Sequence, residues 1–336
     1  VDRGQALKAV VAGALSLIVV LSACSTSDDV QWVDENVTFT ADGLTIHGTY
    51  RHETGEATGP AALLISESGA TDRNGDNQVA GPVGNMRQLA ELLSDRDVAS
   101  LRYDKVGTGQ TGLGPYAQRP TEVVSSVYTT GAKAAVRYLA DQPRTDDSRI
   151  SVYAVGEGTI HALTLAGDTD AEAPKIHALG LLQPLPGRYL DIITHRVRAN
   201  AAPEALSAWL AAVEQVRTTG TVPANLPEGL GAMLSPGNVN AVVEADKIDP
   251  LRLAAEVPAD TKVLLTCSDS DAQASCDSIR PLADALRHTA LTVVELEGVN
   301  HVLRDDPSDN VANYASQDPL SPQVVEALDR FVAEQP

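Results

Sequence analysis

Between residues 37 and 50 apolar and polar side chains alternate around Asp42-Gly43 (VTFTADGLTIHGTY), a period of two interrupted by a turn dipeptide. That pattern predicts a β-hairpin. Compact apolar runs then predict strands at 61–65, 98–103, 150–155, 178–182, 263–266 and 291–296. Met86, Leu89, Leu92 and Leu93 recur at helical spacing, and helices are expected over 132–139, 159–166, 279–287 and 324–332.

Strands that alternate with helices imply an α/β chain with a mostly parallel central sheet covered by helices on both faces. In such sheets functional residues gather on the loops at the carboxyl ends of the strands. Here those are the loops after Ile65, Tyr103, Val155, Leu182, Thr266 and Leu296. After Pro184 the character changes. Residues 190–257 carry helical spacing (Leu206, Trp209, Leu210, Val213, Val216) broken by Pro and Gly, so a helical cap inserted as a lid over that edge is expected. The core would then be 37–189 together with 258–336.

The 336 residues carry a formal net charge of −20. This argues against nucleic acid as a partner and against electrostatic docking to anionic lipid. The chain opens with Arg3 and Lys8, an uncharged run over 9–20, then Leu21-Ser22-Ala23-Cys24. A basic start, a short apolar stretch and small residues before a cut describe an export signal over 1–23. Its last four residues resemble a bacterial lipobox, which would make Cys24 the acylated first residue of a lipoprotein. Residues 24–36 would be a tether, and the domain would sit at the outer face of the cell membrane. Of the 3 cysteines, Cys267 and Cys276 remain, nine apart across a Ser/Asp/Ala-rich loop: a disulfide or two free thiols. The histidines show no paired-ligand spacing, so neither a metal nor another cofactor is expected.

The loops, taken in order, resemble the α/β-hydrolase fold, in its bacterial esterase and serine-peptidase-like branch. The resemblance rests on LLISESGATDRNGDN (63–77), SLRYDKVGTGQT (100–111), SVYAVGEGTIHAL (151–163), VLLTCSDSDAQ (263–273) and VELEGVNHVLR (294–304), and spans residues 37–331. Chain order in that family is nucleophile, acid, histidine. The resemblance therefore implies that Asp271, in competition with Asp269, and His301 are the acid and the base. A histidine at a strand end shuttles a proton near neutral pH, and a carboxylate fixes its tautomer. Thr71-Asp72-Arg73, Asn77 and Arg102-Tyr103-Asp104 would hold the surrounding loops. Gly107-Thr108-Gly109 lacks the Gly-Lys-Ser/Thr of a phosphate loop and reads as a turn.

Two positions depart from the family. Aligning Gly-X-Ser-X-Gly with Ala154-Val155-Gly156-Glu157-Gly158 puts Gly156 at the nucleophile position. Glycine tolerates the strained elbow but carries no Oγ. Glu67 stands where a small residue normally sits in the loop that donates an N–H to the oxyanion, and turned inward it would oppose developing negative charge. Glu157 reads as a capping charge at a helix start. Thr159 lies three residues past the nucleophile position, and His161 on a buried helix. Three readings follow. The first is a degenerate serine hydrolase that keeps a lidded pocket for a small acyl, ester or peptide-like ligand. The second is a hydrolase in which His301 and Asp271 activate water, with Glu67 as an auxiliary acid or base. The third is a scaffold module.

Overall fold

The computed structural model describes residues 31–227 and 229–335; the expected export signal and Cys24 lie outside them. The strands are β1 (Trp32–Ala41), β2 (Leu44–Glu53), β3 (Gly59–Ile65), β4 (Ala99–Tyr103), β5 (Thr145–Val155), β6 (Ile176–Leu182), β7 (Lys262–Ser268) and β8 (Ala290–Leu296). The α-helices are α1 (Asn85–Ser94), α2 (Ser125–Ala140), α3 (Gly158–Ala166), α4 (Tyr189–Asn200), α5 (Pro203–Thr219), α6 (Val239–Lys247), α7 (Pro250–Ala255), α8 (Cys276–Ala285) and α9 (Pro322–Ala333).

Among the described residues one 8-stranded sheet has the order β1-β2-β4-β3-β5-β6-β7-β8. β1 and β2 form the antiparallel hairpin; β2 meets β4 antiparallel, and every later pairing is parallel. Asp42 and Gly43 both take positive φ (47° and 79°), the tight-turn geometry whose twist matches the flanking strands. β1 starts earlier than the alternation suggested. Residues 32–36 pair with 49–53, so the last part of the expected tether is strand.

Burial in β3 alternates between two cores. Ala61, Leu63 and Ile65 pack beneath α2, α3 and α8, whereas Ala62 and Leu64 face α1 and α9. In β5, Val152 and Ala154 take the first side, Tyr153 and Val155 the second. A central strand buried on both faces reads as a continuous apolar run.

Helices α4 to α6 have a core of their own around Trp209, with Leu190, Ile193, Val213 and Val242. Asp246 pins it by accepting hydrogen bonds from Arg188 Nη2 (2.8 Å), Arg217 Nε (2.9 Å) and Leu190 N (2.9 Å). The chain rejoins the main core before residue 258, since Ala254 of α7 and Val257 belong to it.

Candidate active site

β5 runs into the sheet edge and turns sharply at Gly156, whose φ is +54°, a region costly for residues with a β-carbon. α3 starts two residues on. A β-carbon on Gly158 would lie 2.7 Å from the Ile65 carbonyl oxygen, so this position admits only glycine against β3. The turn between β5 and α3 thus comprises Gly156 and Glu157.

The space beside Gly156 is filled. A β-carbon there would sit 2.5 Å from Cδ, Oε1 and Oε2 of Glu67. Glu67 leaves β3 two residues after Ile65 and points inward, its carboxylate at the position where an elbow serine would begin. Oε1 accepts a hydrogen bond from His301 Nε2 (3.3 Å), and Oε2 accepts one from the Ser68 N–H. Lys105, in the loop after β4, donates to the carbonyl oxygens of Ser66 (3.4 Å) and Glu67 and so holds this loop against the sheet.

On its other side His301 Nδ1 donates to Asp271 Oδ2 (2.7 Å). Asp271 rather than Asp269 is the carboxylate that meets His301, and its Oδ1 accepts from the backbone of Gln273 and Ala274. Asp269 instead bonds Gly298 N and Ser270 Oγ. A disulfide joins Cys267 at the end of β7 to Cys276 at the start of α8, closing the loop that carries Asp271. Asp309 ties this loop to the histidine loop: Oδ2 accepts from Ala272 N (3.2 Å), and Oδ1 from His301 N (3.0 Å) and Tyr314 Oη (2.5 Å). Nothing in the sequence pattern singled out Asp309 or Lys105. The only available signal for Lys105 was its place at the carboxyl end of β4.

These contacts set the charges. Burial disfavours the His301 cation, but the Asp271 and Glu67 carboxylates on either side push its pKa up to about 10. Burial likewise opposes ionisation of Glu67, and the His301 contact, the Ser68 N–H and Lys105 outweigh it, holding the carboxyl at about 2. At neutral pH Glu67 is held as the carboxylate and His301 as the imidazolium. The His301 and Asp271 side chains are 2% and 0% exposed and Glu67's is 17% exposed, so the outer carboxylate is the one a ligand can reach.

Several other expectations resolve here. Glu157 occupies the α3 N-cap position but makes no side-chain capping bond; burial raises its pKa against the attraction of Lys105. Thr159 Oγ1 donates to the Gly156 carbonyl (2.6 Å) and is committed to the turn. His161 is buried, bonded to Thr129 (2.9 Å), and driven down to about 3 by burial and by Lys105. Arg73 pairs with Asp104 (2.7 Å) and Arg102 with Asp34 (2.9 Å), bracing the loops around Asn77 and the 107–109 turn.

Glu67 and His301 open onto a cleft of about 500 Å³. Its walls come from residues 68–85, from Gln273 and from residues 302–314, with Val79, Val83, Val302 and Val311 among them. Among the described residues, none of the helical insertion lines this cleft. A chain segment directly after β3 does. Among the described residues no group of three His, Cys, Asp or Glu could hold a metal ion.

No protein-family model matches the sequence, and no curated protein does. Solved structures match by shape. Est1E of Butyrivibrio proteoclasticus with ferulic acid bound has a TM-score of 0.58 at 18% identity, over 89% of this chain and 98% of that one. The Pyrococcus furiosus esterase Pf2001 has a TM-score of 0.54 at 15% identity, over 90% and 93%. A dienelactone hydrolase of Anabaena variabilis has a TM-score of 0.51 at 13% identity, over 91% and 97%. With the sheet order, the elbow and the loop positions of Asp271 and His301, these matches establish that the chain has the α/β-hydrolase fold.

Proposed function

We propose that this hydrolase-fold chain has given up acyl-serine chemistry and uses its cleft to hold a small acyl-, ester- or peptide-like ligand against a standing carboxylate–imidazolium pair. One observation carries this: the Glu67 carboxylate fills the volume a serine side chain at 156 would need. A nucleophile's loss costs about a millionfold in rate in serine-triad enzymes. The two departures in the sequence are thereby one change, because the carboxylate fits only beside a glycine.

Water activation by a neutral His301 is the weaker reading. An imidazolium whose two N–H groups already face carboxylates has no lone pair with which to take a proton from water. A small ligand is in keeping with the cleft's size and with the ferulic acid held by Est1E. The Leu21-Ser22-Ala23-Cys24 motif supports export and anchoring through a lipid on Cys24, which would hold the domain at the outer face of a bacterial membrane. Cys24→Ala would then release the protein from the membrane fraction.

The test of the main reading is a fluorophosphonate probe on the intact domain. Absence of labelling is expected at concentrations that saturate a serine esterase. A covalent adduct on any Ser or Thr would refute the reading.

A further inference from the structure

We propose that Glu67 is an attacking carboxylate with His301 as its acid, and that the cleft takes small, largely apolar epoxides and opens them to diols. The proposal rests on the absence of acyl-serine chemistry and gives the same site a different reaction. Three geometric facts carry it. The Glu67 carboxylate lies at the nucleophile position and lines the cleft. His301 lines the same cleft, and its Nε2 lies 3.3 Å from Oε1. The Ser68 N–H is already on Oε2, the atom on which negative charge would build when an ester of Glu67 is hydrolysed.

The substrate class follows from the chemistry of a carboxylate. Attack on an acyl ester would give an anhydride, which is less stable than the ester consumed. Attack on a saturated carbon gives an ordinary ester, and the strain of a three-membered ring drives the step. The departing oxygen stays tethered and needs only a proton, which the imidazolium holds ready. Val79, Val83, Val302 and Val311 make part of the wall apolar, suited to a hydrocarbon substituent.

In the first step Glu67 Oε1 bonds to a ring carbon, the carbon–oxygen bond of the ring breaks, and the Nε2 proton passes to the alkoxide. Glu67 is now a neutral ester and His301 a neutral imidazole backed by Asp271. In the second step water adds to Glu67 Cδ and gives a proton to His301 Nε2, with the charge on Oε2 held by the Ser68 N–H. The intermediate collapses, the diol leaves, and the remaining carboxyl proton completes its second hydroxyl. Carboxylate and imidazolium are restored, and the sum is epoxide plus water to diol. A serine triad starts from a neutral histidine; this site starts from a charged one and passes through the neutral form only while the ester exists.

The test uses the purified domain with styrene oxide, 1,2-epoxyhexane and glycidol. Diol formation from at least one is expected, with a loss of 100-fold or more in Glu67→Gln. His301→Gln should accumulate an adduct of one epoxide mass on the peptide carrying Glu67, because it can form the ester slowly but cannot hydrolyse it. A single turnover in oxygen-18 water should place the heavy atom in the Glu67 carboxylate. Diol that carries the label while Glu67 does not, or no diol and no adduct with any of the three, overturns the proposal. Neither of those results touches the proposal that serine chemistry is gone, which only fluorophosphonate labelling can break.

Discussion

The carboxyl carbon of Glu67 lies 2.5 Å from the place a β-carbon on Gly156 would occupy. Real side chains do not approach so closely, so any side chain at 156 requires the Glu67 carboxylate to move. A serine at 156 would displace the carboxylate from its contact with His301. His301 bridges two carboxylates, with Asp271 on Nδ1 and Glu67 on Nε2.

Stability should be highest in a pH window set by His301 and Glu67. His301 has a folded pKa raised to about 10, so its contribution is complete below about 6.5 and is lost as pH rises towards 10. Glu67 has a folded pKa lowered to about 2, so its contribution is complete above about 4.5 and fades as pH falls towards 2. Urea midpoints of the wild type relative to a Glu67→Gln, His301→Gln double variant should form a plateau from about 4.5 to 6.5 and fall on both sides.

Asp271 is the deeper carboxylate, wholly enclosed against a buried imidazolium. Asp271→Ala leaves that cation with one partner and should destabilise the fold by about 3 kcal/mol at neutral pH. Urea denaturation reads the loss. A nitrogen NMR titration should also show the His301 pKa falling in this variant.

The disulfide restrains the acid's loop more than the sheet. Replacing Cys267 with Ala and Cys276 with Ser removes a closed loop with a sequence separation of 9, worth about 2–3 kcal/mol by loop-closure entropy. Hydrogen exchange over residues 268–275 should rise first, while β7 itself, buried among parallel neighbours, keeps its protection.

The fold was legible because its strands advertise themselves. Ala61 to Ile65 is an unbroken apolar run since both faces are buried, and Asp42-Gly43 marks a hairpin by its turn chemistry. Boundaries were harder. β5 begins at Thr145 because Gly59 pairs there across an irregularity, and no side-chain pattern announces a bulged end. α2 begins at Ser125, ahead of the small-residue run that suggested it.

In the site, Gly156, Asp271 and His301 could be placed from the ends of strands. The meaning of Glu67 could not. Its direction depends on the Lys105 ammonium, 38 residues away in sequence, and on His301, 234 away. Sequence spacing does not encode such long-range neighbours. For the same reason the pattern does not show that the loop after β3, with residues 302–314, lines the cleft.

The most direct measurement is the energetic coupling of positions 67 and 156. Gly156→Ala carries both the cost of a β-carbon at φ +54° and the clash with Glu67; in a Glu67→Ala background only the first remains. The backbone cost cancels in a double-mutant cycle, so urea denaturation should show Gly156→Ala less damaging in that background by about 1 kcal/mol or more. Additive effects, within about 0.3 kcal/mol, would contradict the exchange of one side chain for the other.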